Sequence, residues 1–283
     1  MMLGTLMLTV QDAVSKWLID DFSVGEILVY RGIWAYIPLA WFAYRAGGVV
    51  ALHSKRPGVN VLRALANTGA GFAVITAYAY MPLADAMAIM FASPILVTAL
   101  AFPLLKEHVG WRRWCAIIVG FAGVLIMLRP GAHFALVALL PLGGAALVAA
   151  RDILTRKLGN VDSSTTILFY TITVSVLAGL CTFPFTLLTA PSGIEWSIFA
   201  TMGLVNGVAH YCTIKAFSLA DVTVLSPLRY FALVWAAIIG YLVWADVPGK
   251  AMLFGAVLVV GSAIYIIVRE ARIGNHSASR RTP

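Results

Sequence analysis

Long runs of apolar residues, each about the length of a membrane-spanning helix, recur throughout this chain of 283 residues. Such a helix needs about 20 residues to cross the hydrocarbon core of a bilayer. Every backbone N–H and C=O group there must bond within the protein, so only helices and closed barrels can span, and barrel strands alternate in polarity. Because the runs are unbroken, and because 61% of the residues are hydrophobic and 11% charged, the sequence predicts an all-α integral membrane protein.

Charges, Gly and Pro residues and short polar joints divide the chain into ten predicted transmembrane helices. Joints of only a few residues, as at 81–83 and 218–220, require the helices that they connect to be antiparallel neighbours. The predicted helices cover residues 2–19, 24–44, 62–81, 84–105, 112–129, 134–156, 163–187, 195–216, 221–244 and 249–269.

The distribution of Lys and Arg predicts how these helices cross the membrane, because cytoplasmic loops carry the excess of both residues. With a cytoplasmic N-terminus, fifteen of the 20 Lys and Arg residues fall on the cytoplasmic side, and Arg129 and Lys250 fall outside. We therefore expect both termini to be cytoplasmic in a multi-pass inner-membrane protein. No removable signal peptide is expected. The net charge of +8 fits contact with anionic lipid and predicts no nucleic-acid partner.

The sequence also repeats itself at an offset of about 139 residues. A Leu-Ala-Asp joint followed by Ser-Pro occurs twice, at 79–94 and 216–227. Other pairs that align are Gln11–Leu18 with Arg151–Leu158, Asn67 with Asn206, Glu107 with Asp246, and Gly110 with Gly249. We predict two five-helix repeats, residues 1–130 and residues 131–283 with a short basic tail. Since five is an odd number, the second repeat is inverted in the membrane, which creates one midplane site between two related gates.

Taken as an ordered set, these features resemble the EamA-type drug/metabolite transporter superfamily. The resemblance covers essentially the whole chain and includes the acidic residue before each half's last helix, Glu107 and Asp246, and the segment SPLRYFALVWAAIIGYLVWADVPG. It implies a carrier with a cavity lined by helices 3, 4, 8 and 9, plus helices 1 and 6. It is most similar to bacterial amino-acid and metabolite exporters, some of which handle aromatic amino acids. Arg31, which aligns with Tyr170, departs from the internal repeat.

Ionisable residues inside the spans are candidate functional groups, because a buried charge is costly unless it is paired or hydrated. Asp12 and Lys16 lie four residues apart, as do Asp152 and Arg156, so each pair can form a local ion bridge at a gate or only neutralise a helix end. Arg31 has Glu26 or Asp12 as its simplest partner. Arg229 can contact a substrate carboxylate or hold its helix to a backbone carbonyl.

The substrate site is predicted in the two hairpins and in helices 3 and 8. Pro94 and Pro227 free backbone carbonyls that can either face the cavity or be satisfied locally by Ser93 and Ser226. Asn67 and Asn206 can bind substrate or join helices, and His210 can couple protons or be a hydrogen-bonded core residue. The full set of candidate substrate-binding residues is Asn67, Tyr78, Met90, Ser93, Pro94, Asn206, His210, Tyr211, Ser226, Pro227, Arg229 and Tyr230.

Other classes of function lack their usual signatures. The sequence has no Walker-type phosphate loop, no metal motif and no nucleophile elbow, so we expect no cofactor and no enzyme activity. The interpretation is a secondary transporter for a small molecule, most simply an amino-acid exporter, that works by alternating access as a monomer or homodimer. Alternatives are a multidrug or nucleotide-sugar carrier of the same fold, an intramembrane enzyme using Asp12 or His210, and a passive channel.

Overall fold

The computed structural model defines the structure of residues 2–93, 95–97, 111–128, 134–158, 161–219 and 231–279. These residues form ten α-helices and contain no strand. The helices are α1 (Met2–Leu18), α2 (Val24–Arg45), α3 (Pro57–Tyr78), α4 (Leu83–Met90), α5 (Trp111–Leu128), α6 (Phe134–Leu158), α7 (Ser164–Thr182), α8 (Gly193–Leu219), α9 (Phe231–Trp244) and α10 (Lys250–Ser279). Short 3₁₀ helices occupy Gly48–Leu52 and Phe183–Phe185.

Local sequence signals explain where several helices begin. Ser23 caps α2 in a capping box, in which its hydroxyl accepts the Glu26 N–H and the Glu26 carboxylate accepts the Ser23 N–H at 2.9 Å. Ser163 caps α7 by accepting the Thr166 N–H at 3.1 Å. Helix α3 begins earlier than predicted because Pro57 occupies its first turn, where proline needs no N–H partner.

Each of the ten predicted spans overlaps one of these helices. Among the described residues, two helical segments are long and apolar enough to cross a membrane, Leu136–Thr155 and Ser164–Phe185. Shorter apolar helices run over Leu83–Val97, Trp114–Met127, Ala232–Trp244 and Lys250–Ser262. Parts of the predicted spans 84–105 and 221–244 fall outside the described residues.

The outer face of α2 shows how the helices meet their surroundings. Ile33, Ile37, Trp41 and Tyr44 follow one another along one side of this helix, and all four side chains are exposed. A water-soluble protein rarely exposes such a continuous apolar stripe. Contact with lipid tails explains it.

Helix packing places α1, α3, α6 and α8 in the interior of the bundle. Helix α1 packs on α8 and α9, α6 packs on α3 and α4, and α2 packs on both α7 and α8. Helices α5 and α10 pack against each other, and α4 packs on α9. The α2–α8 contact is close because Gly203 and Gly207 face α2: a Cβ added to Gly203 would lie 2.3 Å from the Arg31 carbonyl oxygen.

Polar contacts join the ends of helices that are distant in sequence. Asp162, between α6 and α7, accepts hydrogen bonds from the Ser54 hydroxyl at 2.7 Å, the Lys55 N–H at 2.9 Å and the Asn60 amide. Burial alone would raise the pKa of this carboxyl, but these three hydrogen bonds outweigh burial and lower the pKa below 3.8. The joint before α3 is thereby held to the joint before α7.

A second contact joins the start of α2 to the segment before α8. The fully buried Glu26 accepts the Thr189 N–H at 2.7 Å, and the Thr189 hydroxyl donates to the Asp21 carbonyl at 3.4 Å. Glu26 is therefore used at this helix end, and Arg31 has to find a different partner.

Candidate functional site

An ion pair closes one end of the bundle. The Lys16 ammonium on α1 lies 2.9 Å from the Asp246 carboxylate in the joint between α9 and α10, and both side chains are partly buried. The same ammonium lies over the Trp244 ring, 4.6 Å from its centroid. The predicted Asp12–Lys16 pair is therefore wrong, because Lys16 extends from the end of α1 toward α9, while Asp12 lies one turn earlier beside Arg31.

Arg151 on α6 holds a second polar group. Its guanidinium donates to the Asp152 carboxylate at 3.0 and 2.9 Å and to the Asn67 side-chain oxygen on α3 at 3.1 Å. Asp152 is thus paired with its neighbour in the sequence. The Arg156 side chain lies outside the described residues, so an Asp152–Arg156 pair stays a prediction.

Arg63 extends this group to a third helix. Its side chain is only 7% exposed, and it donates to the Thr155 hydroxyl at 2.8 Å and to the Thr171 hydroxyl at 3.0 Å. These bonds join α3 to α6 and α7. A buried arginine satisfied in this way stabilises the bundle and adds positive charge to its interior.

On the other side of the interior, Asp12 on α1, Arg31 on α2 and Tyr78 on α3 lie within electrostatic range of one another. Of the two partners predicted for Arg31, Asp12 lies within electrostatic range of it. A Cβ added to Gly71 would lie 4.0 Å from the Arg31 guanidinium, so this side chain extends toward α3 where glycine leaves room. No hydrogen bond or ion pair joins Asp12 directly to Arg31 in the described part of the chain.

His210 on α8 lies within electrostatic range of three arginines, Arg31, Arg63 and Arg151. Asn206, one turn earlier on the same helix, has a buried side-chain oxygen with no hydrogen-bond partner among the described residues. The interior therefore concentrates positive charge around one face of α8, which suits a ligand with an anionic group.

Several buried polar atoms near these groups lack partners among the described residues. They include Gln11 Oε1, the Tyr78 hydroxyl, Trp34 Nε1 and Asn206 Oδ1. A buried polar atom without a partner costs about 1–3 kcal/mol, so each of these atoms marks a place where a ligand or water can supply the missing bond.

The other predicted residues divide into two sets. Tyr211 stacks on Phe42 with ring centroids 3.7 Å apart, so it packs toward α2 and does not join the polar group. Met90 packs against the main apolar core and Ser93 is buried. The remaining predicted residues lie outside the described part of the chain: Pro94, Ser226, Pro227, Arg229 and Tyr230.

Sequence reasoning missed four residues that the structure brings to this interior: Gln11, Trp34, Arg63 and Arg151. Arg63 and Arg151 are among the fifteen Lys and Arg residues that the charge distribution assigns to the cytoplasmic side, and neither was predicted as a site residue. The available signal was the alignment of the two halves, in which Gln11 stands where the second half has Arg151. No group of three or more His, Cys, Asp or Glu side chains able to hold a metal occurs in the described ranges.

Comparisons with known proteins agree on the type of protein. The chain is 30% identical over 269 residues to the S-adenosylmethionine uptake transporter of Rickettsia prowazekii, covering 93% of this chain and 90% of the relative. It is 31% identical over 200 residues to the riboflavin transporter of Vibrio cholerae, covering 68% and 65%. It is 25% identical to the pseudopaline exporter of Pseudomonas aeruginosa, covering 93% and 92%.

A solved crystal structure with 19% sequence identity matches with a TM-score of 0.63, covering 95% of this chain and 98% of that one, and shows the fold alone. The model of the EamA-like transporter family matches residues 1–129 and again residues 135–268. The family and the named relatives indicate a membrane transporter of small metabolites rather than an enzyme, but none of these three relatives is named as an aromatic amino-acid exporter. This chain belongs to the EamA-like transporter family.

Proposed function

We propose that this protein is a secondary carrier in the bacterial inner membrane that moves an amino acid or an amino-acid-containing metabolite such as S-adenosylmethionine. The observation that carries the proposal is that Arg31, Arg63 and Arg151 all lie within electrostatic range of His210, while the Asp12 carboxylate lies within range of Arg31. A carboxylate-bearing solute complements the arginines, and a cationic group complements the aspartate. The named relatives include uptake transporters and an exporter, so the proposal covers substrate class and not direction.

Helix packing supports two inverted repeats in this carrier. Suppose that helices α1 to α5 correspond in order to helices α6 to α10. The contact of α3 with α6 then corresponds to the contact of α8 with α1, the contact of α2 with α8 corresponds to that of α7 with α3, and the contact of α1 with α9 corresponds to that of α6 with α4. The contacts α2–α7, α4–α9 and α5–α10 correspond to themselves. All nine helix pairs occur, as expected for two related halves around a pseudo-two-fold axis.

The contacts between joints support the ten-span topology. Asp162 joins the α2–α3 and α6–α7 joints, both assigned to the cytoplasm by the positive-inside rule. Glu26 joins the α1–α2 joint to the α7–α8 joint, and Lys16 joins the end of α1 to the α9–α10 joint, all assigned to the outside. Each contact therefore connects joints on the same side of the membrane.

In this arrangement the Lys16–Asp246 pair is an outer gate contact in an alternating-access cycle. Asp246 aligns with Glu107 in the first half, and Lys16 aligns with Arg156 in the second half. The inverted repeat thus predicts the related gate on the cytoplasmic side, where the distribution of Lys and Arg in the sequence places Arg156. Tags on both termini should be accessible only from the cytoplasm; a periplasmic C-terminus would contradict ten spans.

Flux measurements test the carrier. Liposomes containing the purified protein are given labelled S-adenosylmethionine, a panel of labelled amino acids, and riboflavin, with and without a pH gradient. Saturable flux of S-adenosylmethionine or of amino acids supports the proposal. Flux of riboflavin alone supports a carrier with a different substrate class, and no flux of any compound contradicts the proposal.

A further inference from the structure

The two halves of the chain place equivalent residues in equivalent helix contacts. Gln11 and Asp12 on α1 align with Arg151 and Asp152 on α6, and Asn206 on α8 aligns with Asn67 on α3. Helix α1 packs on α8, just as α6 packs on α3. The same three positions can therefore be compared across the two halves.

At the contact of α6 with α3, a cation belonging to the protein lies between the two acceptors. The Arg151 guanidinium bonds to the Asp152 carboxylate and to the Asn67 side-chain oxygen, with distances of 2.9 to 3.1 Å. A carboxylate and an amide oxygen together bind the N–H groups of a cation. At this contact the protein itself supplies the cation that bonds to both acceptors.

At the α1–α8 contact, the equivalent acceptors are present, and among the described residues no cation bonds to the two side-chain oxygens. Gln11 is shorter and neutral where Arg151 stands in the other half. Gln11 Oε1 and Asn206 Oδ1 are buried and have no partner among the described residues, and the Gln11 side chain is only 5% exposed. Asp12 contributes the carboxylate. No described residue donates to Gln11 Oε1 or Asn206 Oδ1, and an N–H-bearing cation matches this set of acceptors.

A complementary position for an anion lies beside it. Arg31 and the Tyr78 hydroxyl are both within electrostatic range of Asp12, and the hydroxyl is buried without a partner in the described residues. Asp12 and Arg31 carry opposite charges in a mostly apolar interior, yet they make no direct bond to each other. An ammonium near Asp12 and a carboxylate near Arg31 match the charges of these two side chains.

We propose that this cluster binds the head group of an α-amino acid as a zwitterion. Asp12, Gln11 and Asn206 accept hydrogen bonds from the ammonium, and Arg31 and Tyr78 donate to the carboxylate. The ammonium occupies the position that the Arg151 guanidinium fills in the other half. This inference rests on the proposed function, because it names the part of the substrate that the interior recognises.

Ligand binding to the purified protein tests the site without depending on transport. The parent compounds are S-adenosylmethionine and L-methionine. Three analogues each lack one part: methylthioadenosine lacks the head group, L-methionine methyl ester lacks the carboxylate, and N-acetyl-L-methionine lacks the ammonium. We expect S-adenosylmethionine and L-methionine to bind at least about tenfold more tightly than the analogues, as read by intrinsic tryptophan fluorescence.

Two variants test the ammonium contact and the carboxylate contact separately. D12N should lose the preference for L-methionine over its N-acetyl derivative and keep the preference over the methyl ester. R31Q should show the opposite pattern. The surface variants D20N and R45Q are matched controls and should retain both preferences. A general loss of folding would abolish all binding, so this exchange of selectivity reports contact and not stability.

The outcomes distinguish this site from the carrier itself. Equal binding of the analogues and parent compounds, or binding of neither S-adenosylmethionine nor L-methionine, overturns the site even if flux of another solute shows a carrier. Selective head-group binding without flux in liposomes supports the site and contradicts the carrier. Selectivity that survives unchanged in both D12N and R31Q overturns the assignment of Asp12 and Arg31.

Discussion

The contact of α6 with α3 and the contact of α1 with α8 use aligned residues but differ in their chemistry. In the first, Arg151 joins Asp152 to Asn67 and satisfies all three side chains within the protein. In the second, Gln11 and Asn206 carry unpartnered buried oxygens beside Asp12. The same backbone arrangement can therefore hold a structural cation in one half and receive a ligand in the other. The aligned positions differ in one residue that the head-group site depends on, Gln11 at one contact and Arg151 at the other.

Converting the second contact into the first is the strongest test of this comparison. In Q11R the new guanidinium should occupy the position between Asp12 and Asn206 and exclude the substrate. We expect flux of the transported amino acid to fall about a hundredfold, which corresponds to about 3 kcal/mol. Thermal stability should be unchanged or higher, because buried acceptors gain a partner. Liposome flux and a melting curve measure both quantities.

Q11M is the matched control for this prediction, since it keeps the side-chain length and removes the acceptor without adding charge. It should reduce flux by about tenfold, or about 1.4 kcal/mol, as expected for one lost hydrogen bond to a charged group. Normal transport by Q11R would show that the position between α1 and α8 does not receive substrate.

The reverse conversion removes the cation from the second half. In R151Q, Asp152 and Asn67 lose their bonds to the guanidinium, and Asn67 is left with an unpartnered oxygen. We expect the free energy of unfolding to fall by about 2 kcal/mol, with a smaller effect on substrate affinity than Q11R. Chemical denaturation in detergent measures the first quantity and ligand titration the second. A larger loss of affinity than of stability would indicate that both halves contact substrate.

The sequence predicted the positions in this comparison better than their partners. The offset between the halves aligned Asn67 with Asn206 and Asp12 with Asp152, and the apolar runs located ten helices. Partner choice was harder: Lys16 and Asp12 are four residues apart on α1, but Lys16 binds Asp246. A helical spacing shows which side chains on one helix can meet, whereas a contact between helices depends on their packing, which no local pattern contains.

Charge reversal at the Lys16–Asp246 contact probes whether that contact stabilises the closed outer side. K16E and D246K should each lower the melting temperature, and the double variant should recover most of the loss. The expected coupling in the double-mutant cycle is about 1 kcal/mol, because both side chains are only partly buried. Additive effects would show that the two charges do not interact in the membrane.

The smallest expected effect tests a contact between joints rather than between helices. D162N should lower the free energy of unfolding by about 1 kcal/mol near neutral pH, because a neutral amide accepts the Ser54, Lys55 and Asn60 hydrogen bonds less strongly than a carboxylate.

The folded-state pKa of Asp162 is lowered below 3.8, so its contribution is fully present above that pH and is lost as the pH falls through the lower folded value. The difference in melting temperature between wild type and D162N should therefore be largest near neutral pH and shrink as the pH falls below 3.8. S164A, at the neighbouring first residue of α7, is a control that should leave the pH dependence unchanged. A constant difference across this range would mean that the Asp162 charge does not stabilise the joint, and that the α2–α3 and α6–α7 ends are held together by other contacts.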